Sequence, residues 1–408
     1  MITMAIDNKD KKVLKSSIER EQNEVACSAE CEKIKGSKNL NVPHLRFPEF
    51  SGEWEMVSLQ DIATINPKSD PLQNTFIYID LEAVEKGELR KIQEIMREEA
   101  PSRAQRVIDN NDILFQCVRP YQKNNYIHRI LNTSNQQWVA STGYAQIRTT
   151  ELPNYIYHLL NTDEFNRKVM VRCTGSSYPA INSEDLATIH LYYTPDKKEQ
   201  LKISRLLDLL DKRIATQNKI IEKLQSLIKG LRVCCMQRVY GNNVYLSEIA
   251  QIYQPQTISS TELTEDGFLV YGANGIIGKY KDYNHETEQI CITCRGNTCG
   301  MVNYTKPMSW ITGNAMVINT DKYQDKVCKR YLYHYLSAYN FNSIISGSGQ
   351  PQIVRTPLEK LKITLPTISE QKQKAIIFDK IQDKIDINHK VLNLYIGQKQ
   401  YLLRQMFI

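Results

Sequence analysis

The sequence predicts an α+β protein with an internal repeat, in which two strand-rich domains are each followed by one long helix. Short motifs recur about half a chain apart, and each copy ends in a helical stretch with a heptad period. The segments between the motifs contain short strand patterns and turns. The 408 residues also suffice for two or three domains of about 150 residues.

Three pairs of motifs define the repeat. They are residues 57–63 and 244–250 (Val-Ser-Leu-Gln-Asp-Ile-Ala and Val-Tyr-Leu-Ser-Glu-Ile-Ala), residues 175–181 and 347–353 (Gly-Ser-Ser-Tyr-Pro-Ala-Ile and Gly-Ser-Gly-Gln-Pro-Gln-Ile), and residues 195–200 and 366–371 (Pro-Asp-Lys-Lys-Glu-Gln and Pro-Thr-Ile-Ser-Glu-Gln). The segments between them do not match by eye. A repeated frame with different contents indicates two versions of one task.

These motifs divide the chain into five segments. We expect a flexible polar extension at 1–42, a strand-rich domain at 43–194, a helical spacer at 195–240, a second strand-rich domain at 241–365 and a second helical spacer at 366–408. Each spacer starts with a capping side chain three residues before a carboxylate, which is a signal for a helix N-terminus.

The two spacers carry matching heptad seams. The first consists of Leu207, Leu210, Ile214, Gln217, Ile221, Leu224, Ile228 and Leu231, and the second, 171 residues later, of Phe378, Ile381, Ile385, Asn388, Leu392, Tyr395, Lys399 and Leu402. Two matched seams in one chain can bury each other, which predicts an intramolecular coiled coil. Gln217 and Asn388 would be the polar positions that fix its register. Lys399 suggests that the second helix frays near its end.

The composition favours an anionic partner. The net charge is +7, and a basic balance of this size suits nucleic acid, although it does not require it. No apolar run approaches the roughly 20 residues that span a bilayer, and the N-terminus lacks the apolar stretch of a signal peptide. We therefore expect a cytoplasmic protein without a membrane partner.

Three cysteines, Cys291, Cys294 and Cys299, are the cluster to weigh as a metal site, because Cys291 and Cys294 have the Cys-x-x-Cys spacing of zinc ligands. No second Cys-x-x-Cys pair or suitably spaced His pair follows them. Residues 289–294 read as a strand, in which positions three apart point to opposite faces. A zinc site or a metal enzyme stays open as an alternative, but buried small side chains are the preferred interpretation. We predict no metal site and no cofactor.

With its repeated motifs and two heptad helices, the chain resembles the specificity subunit of a type I restriction-modification system. The resemblance is carried by residues 45–50 (Leu-Arg-Phe-Pro-Glu-Phe) with Trp54, by the repeated motifs and by the two heptad helices. Further matching motifs are residues 101–104 (Pro-Ser-Arg-Ala), 119–121 (Arg-Pro-Tyr), 140–143 (Ala-Ser-Thr-Gly), 271–275 (Tyr-Gly-Ala-Asn-Gly) and 295–297 (Arg-Gly-Asn). The match covers residues 43–408, and its specificity lies in the order of the motifs.

The resemblance implies two target-recognition domains held apart by two helices, conserved in that family, that pair in antiparallel fashion. Each domain would read one half of a split double-stranded DNA target, while the helical regions dock two modification subunits that methylate adenine at N6. A pseudo-twofold arrangement of these partners follows from the repeat. The resemblance also allows two restriction subunits in the same complex. The specificity subunit itself carries no catalysis.

Motifs of enzymes are missing from the sequence, in agreement with a non-catalytic chain. No Pro-Pro-aromatic loop of an amino-methyltransferase and no Walker A loop occurs.

The first seam is about 36 Å long at 1.5 Å per residue, or roughly ten base pairs of duplex DNA. A spacer of this length predicts two short half-sites with unspecified bases between them. Because the two variable segments differ, the half-sites should differ as well, and the target should be asymmetric.

Candidate DNA-binding residues lie in the motifs of the two domains. They are Ser102, Arg103, Arg119, Tyr121, Lys123 and Asn124 in the first domain, and Asn274, Lys279, Arg295 and Asn297 in the second. Each cation among them is alternatively a solvated charge or a phosphate contact, since half or more of protein–DNA contacts go to the backbone.

Candidate partner-binding residues lie in the motifs next to the helices. They are Pro179, Ile181, Glu199 and Gln200, with their counterparts Pro351, Ile353, Glu370 and Gln371. These motifs are equally well explained as local joints between each domain and its helix. A different class of function, a stand-alone DNA-binding regulator with a coiled-coil spacer, is the main alternative for the whole chain.

Overall fold

A computed structural model describes residues 41–129, 136–237, 239–273, 275–347 and 349–408. Almost all of the predicted extension at 1–42 lies outside these residues. The chain divides into two compact units, one formed by Met1–Leu209 together with Lys399–Ile408 and the other by Leu210–Gln398. Within the described ranges, no helix is both long enough and apolar enough to cross a membrane.

The first unit contains short strands and helices before its long helix. The strands are β1 (Glu55–Ser58), β2 (Ala63–Ile65), β3 (Thr75–Ile79), β4 (Val84–Glu85), β5 (Glu88–Leu89), β6 (Gln93–Met96), β7 (Ala104–Ile108), β8 (Ile113–Gln116), β9 (Tyr126–Ile127), β10 (Gln137–Ser141), β11 (Tyr144–Thr149) and β12 (His190–Tyr193). The helices are α1 (Leu59–Ile62), α2 (Pro153–Leu160), α3 (Asp163–Arg172), α4 (Ser183–Ala187) and α5 (Lys197–Gln237), which starts in this unit.

Two four-stranded sheets form the centre of the first unit, in the orders β6-β3-β10-β7 and β2-β11-β8-β9. Alternation along the strands assigns side chains to opposite faces. Leu114 of β8 joins a buried cluster with Ile79 of β3 and Ala140 of β10, so the two sheets pack together. Phe115 points the other way and packs edge-on against Phe165 of α3, with 5.8 Å between ring centroids. Strand β1 pairs with β12, which leads into α5.

The second unit has a similar set of elements. Its strands are β13 (Asn242–Tyr245), β14 (Gln251–Tyr253), β15 (Phe268–Gly272), β16 (Gly275–Tyr280), β17 (Ile290–Thr293), β18 (Val302–Tyr304), β19 (Trp310–Ile311), β20 (Ala315–Asn319) and β21 (Lys362–Leu365). Its helices are α6 (Lys329–Ala338), α7 (Arg355–Glu359) and α8 (Ile368–Gln405), whose last residues belong to the first unit.

The two units share one topology although their variable sequences do not match by eye. The sheet β14-β20-β17-β18 repeats the order β2-β11-β8-β9, and the sheet β16-β15-β19 repeats β6-β3-β10. The parallel pair β3–β10 recurs as β15–β19. Strand β13 pairs with β21 just before α8, as β1 pairs with β12 before α5. The predicted α+β internal repeat is therefore confirmed.

Helices α5 and α8 pair in antiparallel fashion within the second unit. Ile228 of α5 is buried together with Phe378 and Ile385 of α8. At the other end, Gln217 Nε2 donates to the Asn388 backbone oxygen at 3.1 Å and also to its side-chain oxygen. Higher residue numbers on one helix thus meet lower numbers on the other. The predicted antiparallel pairing is confirmed along this stretch, and both polar seam residues are buried.

The fraying suggested near Lys399 is not observed, because α8 continues to Gln405. In the first unit, Leu402 and Phe407 are buried near the end of the chain. The Phe407 ring packs against Trp54 and Tyr155, at centroid distances of 6.0 and 5.5 Å. This aromatic packing anchors the end of the chain that follows α8.

Candidate DNA interface

Three loops of the first unit are tied together by backbone hydrogen bonds. Thr142 N, between β10 and β11, donates to the Arg103 oxygen at 2.8 Å. The next residue, Gly143, accepts from Cys117 N at 3.0 Å, just after β8. The motifs at 101–104, 119–121 and 140–143 therefore meet at one edge of the unit. They are separated in sequence, and the antiparallel pairing of β7 with β10 and of β8 with β11 brings them together.

A fourth loop, at 175–181, joins the same edge. Arg119 N donates to the Pro179 oxygen at 2.7 Å, and Ile181 N donates to the Cys117 oxygen at 3.1 Å. The loop turns at Gly175, where φ is +89° and a Cβ atom would lie 2.9 Å from the Tyr178 oxygen. Glycine is needed at this position because other residues rarely adopt such a φ in so little space.

The second unit repeats this arrangement. Gly296 N donates to the Pro351 oxygen at 3.0 Å, and Ile353 N donates to the Cys294 oxygen at 3.0 Å. Gly347 has φ of +88° and takes the place of Gly175. Cys294 therefore corresponds to Cys117, and the motif at 295–297 corresponds to the loop that follows β8. Pro179, Ile181, Pro351 and Ile353, predicted to bind partners, all lie in these loop contacts.

The candidate side chains of the first unit differ in how free they are to bind a ligand. Ser102, Arg103 and Tyr121 are exposed, and Arg119 is half-buried. The Arg119 guanidinium carbon lies 4.3 Å from the centroid of the Tyr178 ring. Within the described residues, neither Arg103 nor Arg119 has a side-chain hydrogen bond or ion pair. Both arginines can therefore offer their N–H groups to a ligand.

The side chains of Lys123 and Asn124 already have hydrogen-bond partners within the first unit. Lys123 Nζ lies 2.7 Å from the Asp163 carboxylate and 3.3 Å from the Asn161 oxygen. The amide oxygen of Asn124 accepts from Lys86 N at 3.0 Å. The loop between Arg119 and Lys123 is also constrained, since both residues have positive φ angles, 55° and 52°. Each such residue costs roughly 1 kcal/mol or more, which the surrounding bonds must offset.

In the second unit the arginine is again the more available cation. Arg295 and Asn297 are exposed after β17, and the Arg295 side chain makes no hydrogen bond or ion pair within the described residues. Lys279 is 3.3 Å from Asp266. Asn274 lies outside the described residues. Arg103, Arg119 and Arg295 are thus the strongest candidates for contacting an acceptor-rich ligand.

Gln200 and Gln371 perform the same structural task in their units. Both are buried. Gln200 Nε2 donates to the Thr194 oxygen, and its Oε1 accepts from Leu152 N, the residue before α2. Gln371 Nε2 donates to the Pro366 oxygen, and its Oε1 accepts from Cys328 N, the residue before α6. Each glutamine therefore joins a short helix to a long one, and a role in partner binding stays a prediction.

Glu199 and Glu370 differ although their sequences align. Glu199 is fully buried and receives two hydrogen bonds from Arg46, at 2.7 and 2.9 Å. This hydrogen bonding raises the pKa of Arg46. Glu370 is exposed and caps α8 through Thr367, whose hydroxyl lowers the pKa of Glu370. Glu370 alone of these four polar candidates is exposed to a partner.

A repeated buried histidine is a feature that the sequence analysis missed. His158 Nε2 of α2 lies 2.9 Å from Asp208 of α5, and His334 Nε2 of α6 lies 2.8 Å from Asp379 of α8. The available signal was a Tyr-His pair in each copy and the 171-residue offset between the two aspartates. These contacts attach the long helix to the sheet-bearing part of each unit.

The tautomer of His334 follows from its neighbours. Arg232 Nη2 lies 2.8 Å from His334 Nδ1, and because arginine only donates, Nδ1 must accept. The proton is then on Nε2, which donates to Asp379. Burial lowers the pKa of His334, with Arg232 adding to this effect and Asp379 opposing it. Burial alone would raise the pKa of Asp379, but hydrogen bonds from His334 and Arg330 outweigh it and lower that pKa.

The three cysteines are arranged as packing residues. Cys291 is buried with Tyr271 and Val317, whereas Cys294 belongs to a different cluster. Burial raises the pKa of Cys291 to about 12, which disfavours the thiolate that binds metals. In the ranges described above, no group of three or more His, Cys, Asp and Glu side chains could hold a metal ion.

A family model supports the repeat independently. The model of the type I restriction modification DNA specificity domain matches residues 51–226 and again residues 242–394. Together these matches cover well over half of the chain. Both copies of the repeat are therefore members of one domain family.

Proteins of similar sequence are named as specificity subunits of type I restriction enzymes. A type I restriction enzyme EcoprrI specificity subunit of Escherichia coli is 31% identical over 147 residues, 35% of this chain and 36% of that protein. A putative type I restriction enzyme specificity subunit of Haemophilus influenzae is 27% identical over 140 residues, 33% and 35% of the two chains. The match thus spans about a third of the length of these relatives.

Solved structures agree on the fold. The S subunit of a type I restriction-modification system from M. genitalium has a TM-score of 0.62 at 15% identity, over 90% of this chain and 99% of that one. A chain from a study of complex assembly and conformational transition of the type I R-M system has a TM-score of 0.54 at 19% identity, over 88% and 98%. On the strength of its two domain matches, the chain belongs to the family of type I restriction-modification DNA specificity domains.

Proposed function

We propose that this chain is the DNA-binding specificity subunit of a type I restriction-modification complex. It reads an asymmetric target of two short half-sites separated by unspecified bases, and it carries no catalysis of its own. Adenine-N6 methylation is the task of the modification subunits that it binds.

One observation carries this proposal. The two units have the same strand order, but the loops gathered at the corresponding edge present different side chains. Arg103 and Arg119 occupy this edge in the first unit, and Arg295 and Asn297 in the second. A shared scaffold with unlike loops suits two readers of different sequences, because loops on a rigid scaffold commonly carry specificity.

Arginine is well suited to this role. Its planar guanidinium donates two parallel hydrogen bonds to guanine O6 and N7, the commonest specific contact in the major groove. The net charge of +7 supports the phosphate contacts that supply most of the sequence-independent affinity. We propose Ser102, Tyr121, Lys123, Asn124, Asn274, Lys279 and Asn297 as further DNA contacts around the three arginines.

The proposed protein partners are two modification subunits, one for each copy of the repeat, with two restriction subunits as further members of the complex. Glu370 is the exposed candidate for contacting a modification subunit. The further proposed partner-binding residues are Pro179, Ile181, Glu199, Gln200, Pro351, Ile353 and Gln371. The domain boundaries at 43–194, 195–240, 241–365 and 366–408 and a cytoplasmic location belong to the same proposal. A stand-alone regulator is not favoured, because the similar proteins are named subunits of restriction enzymes.

The proposal is tested by producing the chain with its cognate modification subunit and mapping methyladenine across the genome of the host. We expect one asymmetric motif with a gap of unspecified bases. A continuous motif would contradict the proposal. Copurification should yield two modification subunits for each specificity subunit, whereas a regulator would bring down none.

A matched pair of variants assigns the half-sites. Arg103→Ala should relax base preference in one half-site alone, and Arg295→Ala in the other alone. Each variant serves as the control for the other, because both residues are exposed and lack side-chain partners in the described structure. A loss that is uniform over both half-sites would argue against the division of labour between the units.

A further inference from the structure

Arg119 and Tyr178 form a cation–π pair at the loop edge of the first unit, which is the edge where the loops at 101–104, 119–121, 140–143 and 175–181 meet. The guanidinium carbon is 4.3 Å from the ring centroid, and 63% of the Tyr178 residue is exposed. This is a cation–π contact, which leaves the guanidinium N–H groups for other acceptors. Because Arg119 has no side-chain hydrogen bond or ion pair in the described ranges, these groups are available to a planar pair of acceptors.

The backbone brings these two side chains together. Arg119 N donates to the oxygen of Pro179, the residue after Tyr178, at 2.7 Å. Val118 and Ala180 form an antiparallel bridge beside this bond. Arg119 itself has φ of 55° and ψ of 54°, a left-handed conformation that sets the direction of its Cα–Cβ bond. The geometry of this pair is thus a consequence of how the two loops are tied, and it exists before any ligand binds.

The second unit lacks this pair although its loops are tied in the same way. The bond from Gly296 N to the Pro351 oxygen corresponds to the bond from Arg119 N to Pro179. Glycine therefore replaces Arg119, and Gln350 replaces Tyr178. A contact to the phosphate backbone would be useful in both units. A side-chain pair that only one unit carries fits a feature of one half-site.

We propose that Tyr178 is a positioning residue that holds the Arg119 guanidinium for bidentate donation to O6 and N7 of a guanine in the half-site read by the first unit. The inference rests on the proposed function and names the base and the residue that selects it. A cation–π contact with an aromatic ring restricts the orientation of the guanidinium. That restriction favours the base edge, where two acceptors lie in one plane, over a phosphate that accepts a cation from many directions.

The experiment uses the full chain in complex with its modification subunit and a duplex carrying the methylated target. Each guanine of the target is replaced in turn by 7-deazaguanine, which has a C–H group in place of N7 and still pairs with cytosine. Binding is measured for the wild type, Tyr178→Phe, Tyr178→Ala and Arg119→Lys. Gln350→Ala, at the corresponding position of the second unit, is the matched control.

At one guanine the wild type should lose roughly tenfold or more in affinity. Tyr178→Phe, which keeps the aromatic face, and Gln350→Ala should show the same loss. Tyr178→Ala and Arg119→Lys should bind the intact target about tenfold more weakly and be insensitive to 7-deazaguanine at that position. Since Tyr178 is mostly exposed, we expect the melting temperature of Tyr178→Ala to match that of the wild type.

Three results would overturn the inference. One is wild-type sensitivity to 7-deazaguanine in Tyr178→Ala. Another is equal weakening of Tyr178→Ala on the target and on unrelated duplexes, which would indicate a phosphate contact. The third is that replacing any guanine of the target by 7-deazaguanine leaves the affinity of the wild type unchanged. A wild-type complex with no sequence preference at all would refute the proposed function itself, so the two failures are distinguishable.

Discussion

Asp208 and Asp379 occupy corresponding positions on the two long helices, and each contacts a buried histidine of its own unit. His158 Nε2 is 2.9 Å from Asp208 Oδ1, and His334 Nε2 is 2.8 Å from Asp379 Oδ1. Only the flanking partners differ. Asn154 donates to Asp208, whereas Arg330 donates to Asp379. Because a buried polar group without a partner is costly, this link allows few orientations of the short helix on the long one.

We expect Asp379→Ala to destabilise the second unit by about 2 kcal/mol, since it leaves His334 and Arg330 without their acceptor. Urea unfolding followed by tryptophan fluorescence measures the change. The control is Asp266→Ala, which removes the fully exposed partner of Lys279, and should leave the midpoint unchanged. Equal midpoints for Asp379→Ala and the wild type would show that the histidine link adds no stability.

The lowered pKa of His334 predicts that the free energy of unfolding depends on pH. Burial, opposed by Asp379 and reinforced by Arg232, lowers the pKa of His334 below its ordinary value of 6.5. As pH falls below 6.5, the unfolded chain therefore binds a proton that the folded chain does not. Stability from this group is present above that pH and is lost as pH falls toward the folded-state pKa.

His334→Gln should flatten the decline in unfolding free energy between pH 6.5 and pH 5, although it lowers the value at pH 7.5. His389→Gln, at an exposed position on α8, is the control and should retain the wild-type slope. Buried His128 and His285, whose pKa values burial also lowers, contribute in the same direction. For this reason the difference between the variant and the wild type is the quantity to compare.

Sequence periodicity predicted the paired helices and the repeated motifs of this fold well, because both depend on local patterns. The heptad positions Gln217 and Asn388 lie 171 residues apart in sequence and meet in the structure. The repeated motifs at 175–181 and 347–353 likewise share a glycine with positive φ at their start, and Ala180 and Gln352 form equivalent backbone bridges. Each of these signals is contained in a short stretch of sequence, where spacing and turn residues are enough to indicate structure.

The loop edge was predictable only in part. The motifs containing Arg103 and Arg119 were identified, but their meeting depends on the antiparallel pairing of β7 with β10 and of β8 with β11, which joins strands that are not neighbours in sequence. The cation–π contact of Arg119 with Tyr178 and the ion pair of Lys123 with Asp163 are also long-range contacts. Local sequence cannot distinguish a free cation from one that a distant carboxylate neutralises.

The polar pair in the helix seam should control register at a cost in stability. Gln217→Leu alone leaves the buried Asn388 amide without its partner and should cost about 1–2 kcal/mol. Replacing both residues with leucine should recover that loss or exceed the wild-type stability, as an apolar seam does. A double-mutant cycle from urea unfolding gives the coupling.

The matched control for this cycle is the pair of seam residues Ile228 and Phe378, which share one apolar cluster. Their substitution by alanine, singly and together, removes packing without leaving a buried polar group. If the effects of Gln217→Leu and Asn388→Leu simply added up to the effect of the double variant, the two amides would not be coupled. Their role in fixing register would then have no energetic basis.

Asp163 restrains two cations of the first unit, and its removal should strengthen nonspecific DNA binding. Its carboxylate lies 2.7 Å from Lys123 and 2.9 Å from Arg404, and hydrogen bonds from these cations lower the pKa of Asp163. On the proposed function, Asp163→Asn releases Lys123 toward the phosphate backbone. Each additional phosphate contact steepens the plot of log K against log salt by about 0.9. We therefore expect a slope steeper by roughly one, with tighter binding to unrelated duplexes below 100 mM salt.

The control is Glu164→Gln, which removes the partner of Arg167 outside the loop edge and should leave the slope unchanged. An unchanged slope in Asp163→Asn would place Lys123 away from DNA.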